Sequence, residues 1–493
     1  MRADNYSFVS LQYKEGAGYP GFEENFSPSS GYPEYPFLEA DIARYGKNDV
    51  YELVRNSLNA LNLDVEHFGT PDWNPLGEML RPGQTVVIKP NMVMDHNDNK
   101  AVQANAMECL VTHPSCVRAI VDYCVIALRE DGEVKGRIIV ADAPMQGCKW
   151  DVLVHKMHYD DLILFYKNHG IQVELQDLRE YETIVDRNSV LVDRKYTKSK
   201  GTVVHLGEKS MHYHSGSNEQ YRVTDYDEAE TMNHHHGEVH DYEVSSTVLQ
   251  ADLLINFSKP KTHRLAGITA ALKNMVGATY NKATLPHRTA GSKEEGGDAY
   301  LHKSWLKSKS EEALNRKMHA EEKGQLLKAT LLRYAYGGFL VVGRTLGKDK
   351  YYIGSWYGND TIWRTVIDLN YIVNFADRDG YLHDDRQRNI LYLGDMVIAG
   401  EHNGPVSPEP KPLGVILAAL DGGVFDKTVC YIMGFDEEKI PELRGIKEGK
   451  TFYPPRIPVI FSNIQAWNKK QLDEIQFPKL WKFIPHDAWK DVL

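Results

Sequence analysis

The sequence is poor in cysteine. Its 493 residues include Cys109, Cys116, Cys124, Cys148 and Cys430, an odd number with no C-x-x-C pair. That pattern argues against a disulfide framework, a zinc ribbon or a ferredoxin-type cluster, so no iron–sulphur cluster is expected. Cys116 and Cys124 lie at helical spacing and read as small buried hydrophobes. Long apolar runs are missing too, none approaching the roughly 18 residues of a membrane span. The start, MRADNYSFVS, has no basic region followed by an apolar core, so the cytoplasm is the expected compartment. Positive charge is not in excess, with 57 Lys and Arg against 68 Asp and Glu and a net charge of −11. Nucleic acid is therefore not an expected partner, and any anion site must be local.

What is present is ordinary globular material. Hydrophobic residues make up 42%, and 28 Tyr, 15 Phe and 8 Trp exclude wholesale disorder. At roughly 150 residues per domain the length fits two or three domains.

Residues 1–80, rich in Tyr, Pro, Gly and Asn, follow neither a helical nor a strand period and read as an aromatic arm. Order begins with the turn at Arg81–Gln84 and the β-branched run Thr85-Val86-Val87-Ile88, which delivers Lys89 and Asn91 to a loop. Thr112-His113-Pro114 opens a helix whose apolar positions are Val117, Ile120, Val121, Cys124 and Leu128. A second strand, Ile138-Ile139-Val140, ends at Asp142, and a helix near 160–168 and a strand near 171–176 continue the alternation. Such alternation predicts an α/β protein of mostly parallel sheets with helices on both faces. Lys89, Asp142 and Lys259 should then meet at the carboxyl edge of one sheet.

We read residues 81–300 as a first α/β lobe with a histidine-rich insertion at 195–245. Residues 301–360 read as a helical insertion, 361–445 as a second α/β lobe and 446–493 as a wrapping tail. A cleft should separate the lobes.

The richest segment runs from Ser258 to Gly277. A strand at 253–257 feeds Lys259, Lys261, His263 and Arg264, then a small-residue turn and a helix expected to start near Thr269 and end at Gly277. Free N–H groups at a helix start beside several cations make an anion cradle. Neither G-x-x-x-x-G-K-[ST] nor G-x-G-x-x-G occurs in this segment, so a nucleotide-triphosphatase loop is excluded there.

Lys89-Pro90-Asn91, Thr112-His113-Pro114, the Lys259–Gly277 segment, Asp368-Leu369-Asn370, Glu401–Pro405 and Met433–Asp436 resemble, in order, the domain-of-unknown-function family 362 over about residues 82–445. A more distant motif is similar to lactate racemase: His263, Ala266-Gly267, Thr269, Ala270-Ala271 and Lys273, with Leu272 where that family has arginine. The second resemblance implies that Lys273 holds a nickel-pincer nucleotide, that His263 and His113 exchange protons, and that His287 ligates the metal.

The chemistry can be argued from the residues alone. Proton transfer beside a carbonyl needs groups that titrate near neutrality, and histidine is the side chain that does. We therefore expect a metal- or cofactor-assisted enzyme, isomerase- or racemase-like or redox, acting on a small oxyanion-bearing substrate such as a sugar acid or hydroxy acid. His263 and His113 are the expected catalytic pair. Added to this, the second resemblance implies that Lys273 binds the cofactor, with Lys259, Lys261 and Thr269 beside it, and that His287 ligates a transition metal (Ni, Fe or Zn); Lys89, Asn91 and Arg288 would hold the substrate. The histidine-rich run Asn233–Asp241 is a further candidate for metal ligands. The competing reading is a non-catalytic protein binding a phosphorylated or carboxylated ligand. A homo-oligomer stays open.

Overall fold

Apolar, β-branched runs between turn residues become the strands of one continuous sheet. The computed structural model describes residues 5–37, 48–104, 106–224 and 226–493. Among these, eleven strands form the main sheet. They are β1 (Tyr6–Tyr13), β2 (Thr85–Pro90), β3 (Arg137–Asp142), β4 (Val173–Asp177), β5 (Leu253–Ser258), β6 (Lys261–His263), β7 (Gly267–Thr269), β8 (Asn389–Asn403), β9 (Ser407–Ala419), β10 (Ile457–Ser462) and β11 (Lys470–Gln471). The order is β11-β10-β1-β9-β8-β5-β2-β3-β4, and the β6–β7 hairpin hangs from β8. From β8 to β4 every pairing is parallel. The fold is thus mixed α/β with a large, mostly parallel sheet.

Parallel strands carry helices on both faces and so must be apolar on both sides. In β5 all six residues are buried. In β2 the alternation splits the two cores, Val86 and Ile88 facing one and Val87 the other. The first core takes α1 (Asp49–Ala60), α2 (Pro114–Leu128) and α3 (Tyr159–Asn168). In α2, Pro114 occupies the first turn and the His113 side chain caps it by accepting from Ser115 N–H. The opposite face carries α4 (Ala271–Asn274), and α5 (Trp305–Glu322) and α6 (Leu326–Leu346) follow as a helical hairpin. It also carries α7 (Ile362–Phe375), α8 (Gly422–Ile432) and α9 (Pro441–Lys447).

Three features differ from the sequence expectation. The arm contributes β1, which lies between β9 and β10, and the helix α1; residues 1–4 and 38–47 of the arm are outside the described residues. The tail supplies β10 and β11. Strands β8 and β9, expected in a second lobe, pair with β5 and with each other, so the strands are not divided between two lobe sheets. The cause is tertiary: which sheet a strand joins is set by partners distant in the chain and not by its own pattern.

Candidate functional site

The carboxyl ends of β2, β3 and β5 carry the chemistry, as ligand sites in parallel sheets do. Lys89 Nζ lies 2.7 Å from Asp142 Oδ1, and both side chains are almost fully buried. The same ammonium donates to Asn274 Oδ1 (3.2 Å) and Pro90 O (3.1 Å), and Asp142 Oδ2 accepts from Met92 N–H at 2.6 Å. Asn91 joins this network by donating to Asn274 Oδ1 at 2.8 Å, and it accepts from Lys261 Nζ at 2.6 Å. Gly277 fits directly over the ion pair. A Cβ there would stand 2.0 Å from Asp142 Oδ1, so the glycine serves close approach, not helix termination.

The segment expected to be an anion cradle folds otherwise. Its helix is one turn, α4, followed by a 3₁₀ turn at Met275–Ala278. The N–H groups of Ala271 and Leu272 donate to the buried Asp426 carboxylate of α8, at 2.8 and 3.2 Å for the shorter contacts. The helix start is therefore already filled by a carboxylate and offers no anion seat. Gly267 (φ +82°) makes the β6–β7 turn against Ile440 and Trp489, with no role toward a ligand.

The anion-binding potential lies instead in a cavity of about 390 Å³ on the other side of α4. Asn91, His263, Thr269, Lys273 and His287 line it, together with Arg264, Asn274, Lys282 and, from α5, Lys317 and Glu321. Val93, Met94, Met145, Val223, Leu265 and Met318 supply apolar wall. Burial and the charges of Lys89 and Arg264 bring Lys273 down to about 8, against an opposing pull from Glu442. Lys282 donates to Ala143 O at 2.8 Å and burial brings it to about 7. Behind Lys273, both oxygens of fully buried Glu442 lack hydrogen bonds, and burial raises its carboxyl to about 8, leaving it neutral at pH 7.

The two cavity histidines hold opposite tautomers. His263 Nδ1 accepts from Leu265 N–H (3.0 Å) and Ala266 N–H (3.1 Å), so its proton sits on Nε2. His287 Nδ1–H donates to Leu285 O at 2.7 Å, which leaves Nε2 as a bare lone pair. Burial, then Lys273, lowers both; His287 falls to about 3, and His263 goes well below its ordinary value. One imidazole is thus a fixed donor and the other a fixed acceptor at neutral pH.

Several expected site residues lie elsewhere. His113 is buried against the N-terminal segment, its ring stacked on Tyr19 at 4.0 Å and its Nδ1 bonded to Ser115 Oγ; it does not line the cavity. Lys259 Nζ is saturated by Asp395 Oδ2 (2.6 Å), Tyr19 Oη (2.7 Å) and Ile398 O (3.1 Å). Lys261 and Lys89 stand behind the wall, where they orient Asn91 and Asn274. Arg288 bonds Glu311 and Thr224 and ties α5 to the body. Lys89 and Lys259 stand at or just after a strand end, but Lys261 and Arg288 open strands and His113 precedes α2, so a place beside a strand does not fix which neighbours the side chain meets.

Lys282 was missed because its Asn-Lys-Ala-Thr turn has no pattern beyond Asn281 capping it. Asp426 and Glu442 come from α8 and α9, far along the chain, and leave no local signal. In the histidine-rich insertion His212, His235 and His240 are buried, and His235 bonds Thr284 O; none lines the cavity. Among the described residues no group of three or more His, Cys, Asp or Glu is arranged to hold a metal ion. Leu272 turns into the apolar core near Gly422, so the residue set that would hold a pincer nucleotide is incomplete.

A family model described as a domain of unknown function (DUF362) matches residues 182–431, a span that contains β5, α4, Lys282, His287 and α7. No curated protein and no solved structure matches the chain.

Proposed function

The chain belongs to the DUF362 family, and from that footing we propose that its cavity binds a small organic oxyanion, such as a sugar acid or hydroxy acid, and moves a proton on it in an isomerase- or racemase-like reaction. One observation carries the reading: Lys273, with no hydrogen-bonded partner among the described residues, the Nε2–H of His263 and the bare Nε2 of His287 belong to side chains of the same cavity. Lys273 and Lys282 hold the oxyanion, and Asn91 and the unpartnered Thr269 Oγ1 supply neutral hydrogen bonds. His287 Nε2 takes the proton from carbon, leaving the electron pair on the substrate oxyanion, and the imidazolium returns a proton to carbon as that oxyanion collapses. His263 donates from Nε2 to a developing oxyanion and stays neutral throughout. A pair formed by His263 and His287 thus replaces the pair of His263 and His113. A cytoplasmic setting fits the five cysteines, all free and buried.

Calorimetry with a panel of small carboxylates, lactate, glycerate and gluconate among them, tests the binding half. Lys273→Met should weaken the best ligand by roughly 10–100-fold, the worth of a charge-assisted hydrogen bond. Affinity should also depend on pH with a definite sign. Lys282 at about 7 and Lys273 at about 8 lose charge as pH rises, so binding is strongest below pH 7 and falls through pH 7–9. Binding near pH 8 should take up protons, because a bound anion raises both lysines. An affinity that is flat from pH 6 to pH 9 would remove the lysines from the site.

A further inference from the structure

Helix α6 carries an apolar stripe on its solvent side. Leu327, Leu331, Tyr334, Gly338, Val341 and Thr345 recur at intervals of four and three, which places them on one face. Their exposure is high: 80% for Leu327, 65% for Leu331 and Tyr334, and 62% for Val341, with Leu346 at 78% beyond them. Trp305, at the start of α5 and packed edge-on against Phe339 of α6, is 67% exposed. The buried residues of α6 are Ala329 and Gly343, small enough to let it lie close on α5. A single exposed Leu needs no explanation, but a whole helical face does.

The charges around this stripe select its occupant. The segment 323–350 contains Lys323, Lys328, Arg333, Arg344, Lys348 and Lys350 and one acid, Asp349, whose carboxylate is held by Lys307 at 2.6 Å. The rest of a chain of net charge −11 is correspondingly more acidic. Two copies of α6 laid face to face would bring cations together with no anion on either helix to pair them. An anionic lipid surface satisfies both halves of the pattern, taking the apolar face into its headgroup boundary and the Lys and Arg at its phosphates. Trp305 and Tyr334 suit that boundary as amphipathic rings. No helix among the described residues is long and apolar enough to cross a membrane.

We propose that the α5–α6 hairpin docks the protein, through the exposed face of α6, onto the surface of a bilayer that contains anionic lipid. The hairpin also reaches the cavity, because Lys317, Met318 and Glu321 of α5 line it, so docking would bring the cavity close to the membrane.

Flotation of the full-length protein with vesicles tests this. Vesicles of phosphatidylcholine and phosphatidylglycerol should carry the protein upward, whereas phosphatidylcholine alone should carry about tenfold less or below, and added salt should release it. Leu331→Asp/Val341→Asp should abolish flotation, and Lys328→Glu/Arg344→Glu should reduce it to the level of neutral vesicles. Both pairs sit on the exposed helix, so melting curves by circular dichroism should match the parent. If either variant fails to fold, salt release and the comparison of the two vesicle types on the parent protein still decide. Wild-type protein that stays at the bottom of the gradient with anionic vesicles overturns the proposal. So does a dimer by light scattering that Leu331→Asp/Val341→Asp dissociates while flotation is absent, which would assign the face to a second copy.

Discussion

His287→Asn should lower turnover by about 10²–10⁴-fold while leaving ligand affinity within about threefold, the signature of a lost proton-transfer group. The geometry makes the substitution a clean one. Asparagine can keep a donor toward Leu285 O, the hydrogen bond that fixes the ring, and loses only Nε2. Burial and Lys273 together hold the free imidazole down to about 3, so it is unprotonated across the physiological range. A base so weak would be a poor catalyst, but its second cause is removable. An oxyanion bound at Lys273 offsets that ammonium and lets the His287 pKa rise once substrate is present. The profile of kcat/KM against pH should therefore lack an acid limb near pH 6 and fall only on the alkaline side, where Lys282 and Lys273 discharge. Stopped-time assays from pH 5 to pH 9 on the parent and His287→Asn check both points. An acid limb near pH 6 that vanishes in His263→Asn would hand the proton transfer to His263.

The second large effect is on stability. Asp142→Asn should cost about 3–5 kcal/mol, the usual penalty for stranding one member of a buried pair. Lys89 has other acceptors in Asn274 and Pro90, but Asp142 is its only charged partner among the described residues, and burial already lowers the lysine. Asparagine also leaves the close approach of Gly277 in place, so the loss is electrostatic and not steric. The sign of its pH dependence follows from the same burial. Without Asp142 the folded-state pKa of Lys89 drops further below its unfolded value, and the unfolded chain then binds more protons over that window. Stability of the variant should accordingly rise with pH between neutrality and about 10 more steeply than that of the parent. Urea titrations at pH 7 and pH 9 measure it. A loss below about 1 kcal/mol at pH 7 would mean that the pair is not closed in solution.

Much of this arrangement was legible in the residues because its parts are local. Thr85–Ile88, Ile138–Val140 and the 253–257 run are β-branched or apolar and end in polar residues, and they form adjacent parallel strands with Lys89 and Asp142 in contact. His263, Thr269, Lys273 and His287 share a cavity because one hairpin, one helical turn and one loop connect them over 25 residues of chain. What could not be read is what distant segments supply. Asp426 closes the helix start that would otherwise have seated an anion, and nothing near Ala271 announces it. His113 precedes a proline-initiated helix as expected, but its ring packs on Tyr19 and Phe26 of the N-terminal segment, which nothing near Thr112-His113-Pro114 announces. Tyr6–Tyr13 joins the sheet through β9 and β10, a pairing with partners some 400 residues away in sequence.

The most direct measurement is deuterium uptake from solvent into a carbon-bound position of the carboxylate that calorimetry selects, followed by proton NMR. The wild-type protein should exchange one C–H in D₂O, His287→Asn should bind the same compound without exchanging it, and Lys273→Met should bind it roughly 10–100-fold more weakly. Exchange undiminished in His287→Asn would contradict the assignment of the base. A carboxylate held through Lys273 with no C–H exchanged would contradict the catalytic reading and leave a binding protein.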